Sequence, residues 1–450
     1  MLARTKMAIL LACVRIFQQS MRNTLSPLLV FMAAEVTFST SQKGMLLSAV
    51  AAGYFFTQVP GGALADRFGA KNVMTICLIL SACCIAAVPT AIEKFGVDGL
   101  WWTVALMGFV QGPLFPCSAV VLARWMPRQG PTGADEKAWG TSMLDIGVSL
   151  GSLAIIPVAN SLAETLGWRN AFRGIGALSL GFTATWHVLA SETPSRCWFI
   201  SDDERAFLEK SIRVPPPAAK SSSSSSSSSA GTSRFSSVVG VPFSVATHPG
   251  VWAVFFSHAA FNNGAYYITY WSPTYYADVL KLPNSEAKYH LMLPFVANLA
   301  LTVSVPLLMR LTQSRGVTLL SSRKLFTCVG FVGAALGVVF IAQQRTRSPW
   351  ASTALFAIAN SFFGLAPSGF KSNYLDITEA YVGILSGYGN TFATVASWAG
   401  PKMVAFLLER FQSWDLVFKY VACVNLLAAA YYFRYAVIHP VERALDEKVD

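Results

Sequence analysis

The sequence predicts an all-α integral membrane protein with twelve transmembrane helices in two six-helix halves, and three observations carry that expectation. The 450 residues are 54% hydrophobic and only 13% charged, with a mean hydropathy of +0.48; a soluble domain carries about 25% charged residues. A helix crossing the bilayer needs about 20 mostly apolar residues at about 1.5 Å each, and that ruler finds twelve such runs. Six precede a polar break at 191–248 and six follow it.

Taken in order, the first run, 7–33, starts directly behind Arg4 and Lys6 with no small-residue cleavage site, so it is read as a retained span. Runs at 43–64, 72–92, 99–124, 139–161 and 171–190 complete a first half, 1–190. The break holds Pro215-Pro216-Pro217, a serine run from Ser221 to Ser229 and a mixed-charge stretch from Asp202 to Arg213. Such a segment cannot bury a core and is read as a cytoplasmic linker loop, with the serines as a tether. Runs at 249–272, 289–310, 324–343, 350–370, 380–407 and 416–438 build the second half, 249–438, and leave a tail at 439–450.

Lys and Arg number 34 against 23 Asp and Glu, a net charge of +11. In a soluble protein this excess suggests nucleic acid, but here the basic residues sit mostly in short loops between apolar runs and act as a topology signal. The side that carries the termini holds 21 of them, including Lys371 in the loop after the tenth run, and the opposite side holds 10. Arg15, Arg22 and Lys402 fall inside runs. Both termini are therefore expected in the cytoplasm or on the equivalent face of an organelle membrane.

Seven of the eight cysteines lie in apolar runs and only Cys197 in a polar segment, without C-x-x-C or Cys/His ligand spacing, so neither a disulfide nor a metal is expected. The chain has no G-x-x-x-x-G-K-[ST] or H-E-x-x-H motif, which argues against an enzyme and against ATP-driven transport. Two six-helix halves of similar length are the layout of a transporter built from repeats, with its site near the bilayer midplane. The fifth run carries Gly147-Val-Ser-Leu-Gly151 and the eleventh Gly383-Ile-Leu-Ser-Gly387, each a G-x-x-x-G step that permits close approach of two helix backbones.

The loop after the second run reads Gly62-Ala-Leu-Ala-Asp66-Arg67-Phe-Gly69-Ala-Lys71 and resembles the major facilitator signature between helices two and three. Gly62 permits close packing, Asp66 can meet a helix N-terminus or a basic partner, and Arg67 and Lys71 hold the loop on the cytoplasmic side. The preceding Gly53-Tyr-Phe-Phe-Thr-Gln58-Val-Pro60-Gly61-Gly62 looks like the second helix of the anion:cation symporter family of that superfamily. That family contains sodium- or proton-coupled phosphate, vesicular glutamate, sialic acid and plastid anion transporters. Three further blocks extend the resemblance over nearly the whole chain: Gly108-Phe-Val-Gln111-Gly112-Pro-Leu-Phe-Pro116 with Trp125-Met-Pro127; Ser257-His258 through Gly264 with Trp271-Ser-Pro273; and Gly369-Phe370 through Asn390-Thr391.

The resemblance implies a major facilitator fold and an anionic substrate. Arg22 aligns with the family's first-helix arginine, although the preceding acid is Met21 here; a guanidinium fork suits phosphate or carboxylate. Arg15, closer to the cytoplasmic end, is expected to snorkel to the surface. Glu136 and Lys137 resemble the family's E-R-x-R/K, with Trp139 in place of the second basic residue. Gln111 stands where many relatives have glutamate, and it cannot titrate. Asp145, His258 and Asp376 are then the candidates for coupling, because carboxylates in a span and a histidine near neutrality can exchange protons.

Phe261 occupies the position where, by resemblance, glutamate transporters carry arginine and phosphate-type relatives histidine. Tyr54, Asn262, Tyr266, Asn373 and Asn390 offer neutral hydrogen bonds to a polar solute. The substrate-binding candidates are thus Arg22, Tyr54, His258, Asn262, Asn373 and Asn390; those for coupling or gating are Asp145, Glu136, Lys137, Asp66 and Arg67. The aromatic stretch Tyr266-Tyr267 to Tyr275-Tyr276 is read as an interfacial belt.

The expected activity is alternating-access transport of inorganic phosphate or a small organic anion, coupled to Na⁺ or H⁺, with no other cofactor. The expected partners are that anion and the lipid bilayer, with no nucleic acid and a monomer as the default. Plasma membrane, vesicle and plastid envelope all fit. An exchanger without cation coupling and a non-transporting receptor on the same fold are the alternatives, the latter because Met21, Gln111, Trp139 and Phe261 depart from the family pattern.

Overall fold

The structure is a computed structural model describing residues 1–442 except 34, 39, 129, 132–134, 213–236, 239–240, 283 and 345–347. The proline triplet, the serine run and most of the C-terminal tail lie outside the described residues. The chain is almost entirely helical: α1 (Ala3–Asn23), α2 (Leu25–Met32), α3 (Thr40–Phe68), α4 (Ala70–Gln111), α5 (Leu114–Trp125), α6 (Glu136–Leu189), α7 (Asp202–Ser211), α8 (Phe243–Ala246), α9 (Pro249–Asp278), α10 (Asn284–Ser314), α11 (Leu319–Ala342), α12 (Pro349–Asn373), α13 (Val382–Phe411) and α14 (Trp414–Tyr435). A two-residue hairpin pairs Ser237–Val238 with Val241–Pro242.

Continuous 42- and 54-residue helices would run about 63 and 81 Å at 1.5 Å per residue, far beyond one bilayer crossing. Each is broken by one glycine in a backbone conformation that residues with a side chain rarely adopt: Gly96 (φ 63°) in α4 and Gly167 (φ 79°) in α6. The expected loops at 93–98 and 162–170 thus shrink to single-residue breaks. Among the described residues, seven helical stretches are long and apolar enough to cross a membrane, and two of them, Ala70–Trp125 and Glu136–Leu189, contain a pair of spans each. The remaining three expected spans are α1 with α2, α3 and α9. These three carry the most polar candidates, Arg15, Arg22, Tyr54, Gln58, His258 and Asn262, and that chemistry lowers their hydropathy. The twelve-helix organisation stands.

The helices gather into two compact units. One comprises Met1–Pro127, Met143–Lys220 and Ala380–Gly387; the other comprises Arg128–Ser142, Ser221–Glu379 and Tyr388–Asp450. In the first, both G-x-x-x-G steps are backbone contacts: a Cβ on Gly147 or Gly151 would meet the Ala12 or Ile16 carbonyl of α1 at 2.3 and 2.5 Å. A Cβ on Gly383 or Gly387 would meet the Gly62 or Gln58 carbonyl of α3 at 2.5 and 2.6 Å. Only glycine leaves room for helices this close.

The described part of the linker is not a free loop. Ser201 caps α7 by accepting from the Glu204 N–H at 3.3 Å, and Glu204 in turn caps α1, accepting from the Ala3 and Arg4 N–H groups at 2.8 and 3.1 Å and from the Arg4 guanidinium at 3.0 Å. Glu192 does the same for α4, accepting from the Ala70 and Lys71 N–H groups at 3.0 and 2.8 Å while paired with Arg124. Carboxylates at helix N-termini satisfy donors that have no partner inside the helix and complement its dipole. Two acids expected to lie in a solvated stretch therefore fasten residues 191–212 to the first unit.

In the second unit α12 packs against α9, α10 and α11, and α14 against α9 and α11. The expected aromatic belt is core here: Tyr267, Tyr275 and Tyr276 are buried. Tyr275 meets Phe356, Trp414 and Phe418 edge to face, while Tyr276 shares Thr353 with His290 through hydrogen bonds of 2.6 and 2.7 Å.

Candidate functional site

The first unit concentrates positive charge within the span formed by α1. Arg22, one residue before the end of α1, lies over the Tyr54 ring of α3, 4.7 Å from its centroid. Among the described residues no carboxylate stands within salt-bridge distance of it. Arg15, two turns earlier, donates to Gln18 rather than snorkelling to the surface. It lies within electrostatic reach of Tyr54, Asp145 and Arg22. Asp145 of α6 is thus placed within reach of Arg15, and α1 holds two arginines within electrostatic reach of each other, a surplus of positive charge in one span. Gln111, at the end of α4, is fully buried with neither amide atom hydrogen-bonded among the described residues. Buried amides are seldom left so. Asn23 extends the polar lining by donating to Ser152 at 3.2 Å.

Asp66, two residues beyond the apolar run 43–64, meets a helix N-terminus, one of the two roles expected of it. Its carboxylate accepts from the Gly383 and Ile384 N–H groups in the first turn of α13, both at 3.0 Å. Burial pushes the Asp66 carboxyl up to about 6, against the pull of the two N–H donors and of Arg124. A carboxyl raised on folding is bound more tightly to its proton in the native state. Its contribution to stability is complete below about 3.8 and is lost as pH rises through about 6. The thermal midpoint of the wild type is therefore expected to fall relative to that of Asp66→Asn between pH 4 and pH 7, and parallel pH profiles would show that another group titrates. Arg67 is exposed and covers the neighbouring Phe68 ring.

At the turn between α12 and α13, the second unit holds a five-charge network. Arg323, fully buried in α11, binds Asp376 through Nε and a terminal nitrogen, both at 3.0 Å, and pairs with both carboxylate oxygens of Asp135. Lys137 reaches Asp376 at 3.1 Å and also donates to the Leu375 carbonyl. Arg128 lies 3.6 Å from the same carboxylate and donates to the Asp376 carbonyl at 3.1 Å. Asp135 also caps α6 by accepting from the Ala138 N–H at 3.1 Å.

Burial alone would raise the Asp376 carboxyl; Arg323, Lys137 and Arg128 outweigh it and hold it below the usual carboxylate range. Asp376 is thus held as an anion by three cations in this conformation. Glu136 is half-buried beside Gly130. The sequence pointed to Lys137 and Asp376 but not to Arg323 or Arg128, whose positions at a span edge and in a loop look like ordinary topology charges.

The other polar candidates of the second unit line α9, α12 and α13. His258 Nδ1 and the Tyr374 hydroxyl are 3.1 Å apart, Asn262 donates to Ser397 at 3.2 Å, and Asn373 donates to the Tyr432 hydroxyl at 3.0 Å while its Oδ1 has no partner among the described residues. Asn390 is buried in α13 and its carbonyl accepts from Thr394. The candidates therefore fall into two sets: Arg22, Tyr54 and Asp145 in the first unit; His258, Asn262, Asn373 and Asn390 in the second. No group of three or more His, Cys, Asp or Glu among the described residues has the arrangement of a metal site.

Residues 11–401 match the family model described as Major Facilitator Superfamily. The chain is 27% identical over 394 residues to a protein of Oryza sativa subsp. japonica named "Probable anion transporter 4, chloroplastic", covering 86% of this chain and 61% of that protein. It is 26% identical over 403 residues to the chloroplastic ascorbate transporter of Arabidopsis thaliana, covering 88% of this chain and 68% of that protein. To the chloroplastic sodium-dependent phosphate transport protein 1 of Arabidopsis thaliana it is 26% identical over 389 residues, 86% of this chain and 70% of that protein. Among solved structures, the major facilitator proton:xylose symporter XylE superposes with a TM-score of 0.71 at 14% identity, covering 98% of both chains, a likeness of fold. The chain spans about three-fifths of the first relative's length.

Proposed function

The chain belongs to the Major Facilitator Superfamily, and from that premise we propose that it is a secondary active transporter of a small anion, inorganic phosphate or an organic anion, working by alternating access with Na⁺ or H⁺ as the coupling ion. It is an integral membrane protein whose relatives, by name anion, ascorbate and phosphate transporters, are those of the anion:cation symporter group that its motifs resemble. The observation that carries the anionic substrate is the pair of span cations Arg15 and Arg22. Asp145 lies within reach of Arg15, while Arg22 has no carboxylate at salt-bridge distance among the described residues. A cation held in a membrane span without such a partner is costly, and an incoming anion offsets that cost.

On this reading the termini face the cytosol or the equivalent face of an organelle membrane, and the plastid envelope is among the candidate membranes. Coupling falls to Asp145 or His258, since Gln111 cannot titrate and Asp376 is held ionised by three cations. The test is uptake of radiolabelled phosphate and competing anions into proteoliposomes under a Na⁺ gradient, an H⁺ gradient or neither. Gradient-driven accumulation supports the symporter, and uptake that requires internal anion points to the exchanger. Binding without flux under any condition sinks the transport reading in favour of a receptor.

A further inference from the structure

The ruler of apolar residues ends the tenth span at 370 and leaves Lys371 in a loop, but α12 continues to Asn373 and carries this lysine inside the helix. Its neighbours Phe370, Ser372, Asn373 and Tyr374 are buried, whereas Lys371 stays partly accessible. A lysine so near a helix end ordinarily snorkels past that end to water. This one does the opposite. Side chains on a helix lean toward its N-terminus, and the Lys371 ammonium lies over the Phe261 ring of α9, 4.9 Å from the centroid.

Phe261 stands about 18 Å along α9 from Pro249 at about 1.5 Å per residue, which is close to the middle of a hydrocarbon core about 30 Å thick. It packs against Phe363 and Phe370, at centroid distances of 6.2 and 5.8 Å. Asn262, Ala265 and Tyr266 share its accessible stretch of α9, and Lys371 is within electrostatic reach of His258. An ammonium at that depth belongs on a wetted polar face rather than against lipid tails.

We propose that Lys371 is the anion-binding cation of the second unit, its ammonium held by the Phe261 ring at the level of Asn262 so that it meets a phosphate or carboxylate group as a point charge. A single flexible ammonium donates to either oxyanion as a point charge, without the directional demand of a planar fork. The cation sits on α12 while the α9 position it covers is aromatic. Charge and ring are therefore exchangeable between the two helices. This inference rests on the anion-transport reading and adds a binding residue to it.

The experiment measures phosphate uptake and a phosphate-dependent thermal shift for the wild type, Lys371→Met, Lys371→Arg and the double variant Lys371→Met/Phe261→Arg. Lys371→Met keeps the length of the side chain and is expected to raise the KM at least tenfold and to lose the thermal shift. Lys371→Arg is expected to stay within a fewfold of the wild type, and the double variant to regain much of the lost affinity because it restores a cation over the same spot. A Lys371→Met protein with wild-type KM and shift overturns the assignment, as does a double variant no better than the single. If the wild type moves no phosphate, a thermal shift present in it and absent from Lys371→Met retains the binding site while removing phosphate transport, and no shift in the wild type overturns the site as a phosphate-binding one.

Discussion

Arg323→Met is expected to destabilise the protein by about 3–5 kcal/mol, the cost of removing one partner from a buried ion pair, and to abolish uptake. Asp135 and Asp376 have side chains with 0% exposure, and both terminate on this guanidinium. Without it, Asp376 retains Lys137 and Arg128, whereas among the described residues the Asp135 carboxylate keeps the Ala138 N–H alone. The decisive comparison is the thermal midpoint of Arg323→Met against Arg323→Met/Asp135→Asn. Neutralising the stranded carboxylate is expected to recover part of the loss, since replacing both members of a buried pair costs less than breaking it. A single variant as stable as the wild type, or a double variant less stable than the single, would show that the network is not what ties α6 and α11 to the α12–α13 turn.

Arg22→Ala is expected to reduce anion uptake by about 30-fold or more. Truncating one partner of a desolvated charge pair costs about 2–5 kcal/mol, and each 1.4 kcal/mol is about tenfold in affinity. Arg22 has the Tyr54 ring beneath it and no carboxylate at salt-bridge distance among the described residues, so little native structure depends on its charge. The variant is expected to fold with a thermal midpoint close to that of the wild type. Arg22→Lys keeps the charge but loses the planar fork and is expected to fall between the two. Uptake unchanged in Arg22→Ala, with the midpoint lowered, would assign this arginine to packing.

Features that a single helix encodes were legible in the sequence. Twelve apolar runs reappear as the helical spans, and both G-x-x-x-G steps are the helix contacts their spacing implies, because small residues at every fourth position leave one flat stripe whatever the partner. Asp66 was legible as far as a helix N-terminus, though not which one. Legibility failed for residues whose meaning depends on a distant strand of the chain. Asp135 and Arg323 are separated by 188 positions, and Glu204 caps α1 from 201 positions away; neither pairing leaves any periodic trace. Lys371 was misplaced because hydropathy ends a span at the first charge, whereas the backbone hydrogen bonds of α12 continue past it.

The membrane environment, the number and order of the spans, the superfamily and the charge pattern of the loops are readable from residue order alone, since these follow from local composition and short motifs. Which charges are held, and by what, emerges in the folded chain: Asp376 locked by three cations, Glu192 and Glu204 capping helix starts, Arg22 resting on an aromatic ring, and Lys371 turned inward over Phe261. A charge in a low-dielectric interior acquires its role from whatever lies within a few ångströms of it, and in a helical membrane protein those neighbours come from helices far apart in the chain.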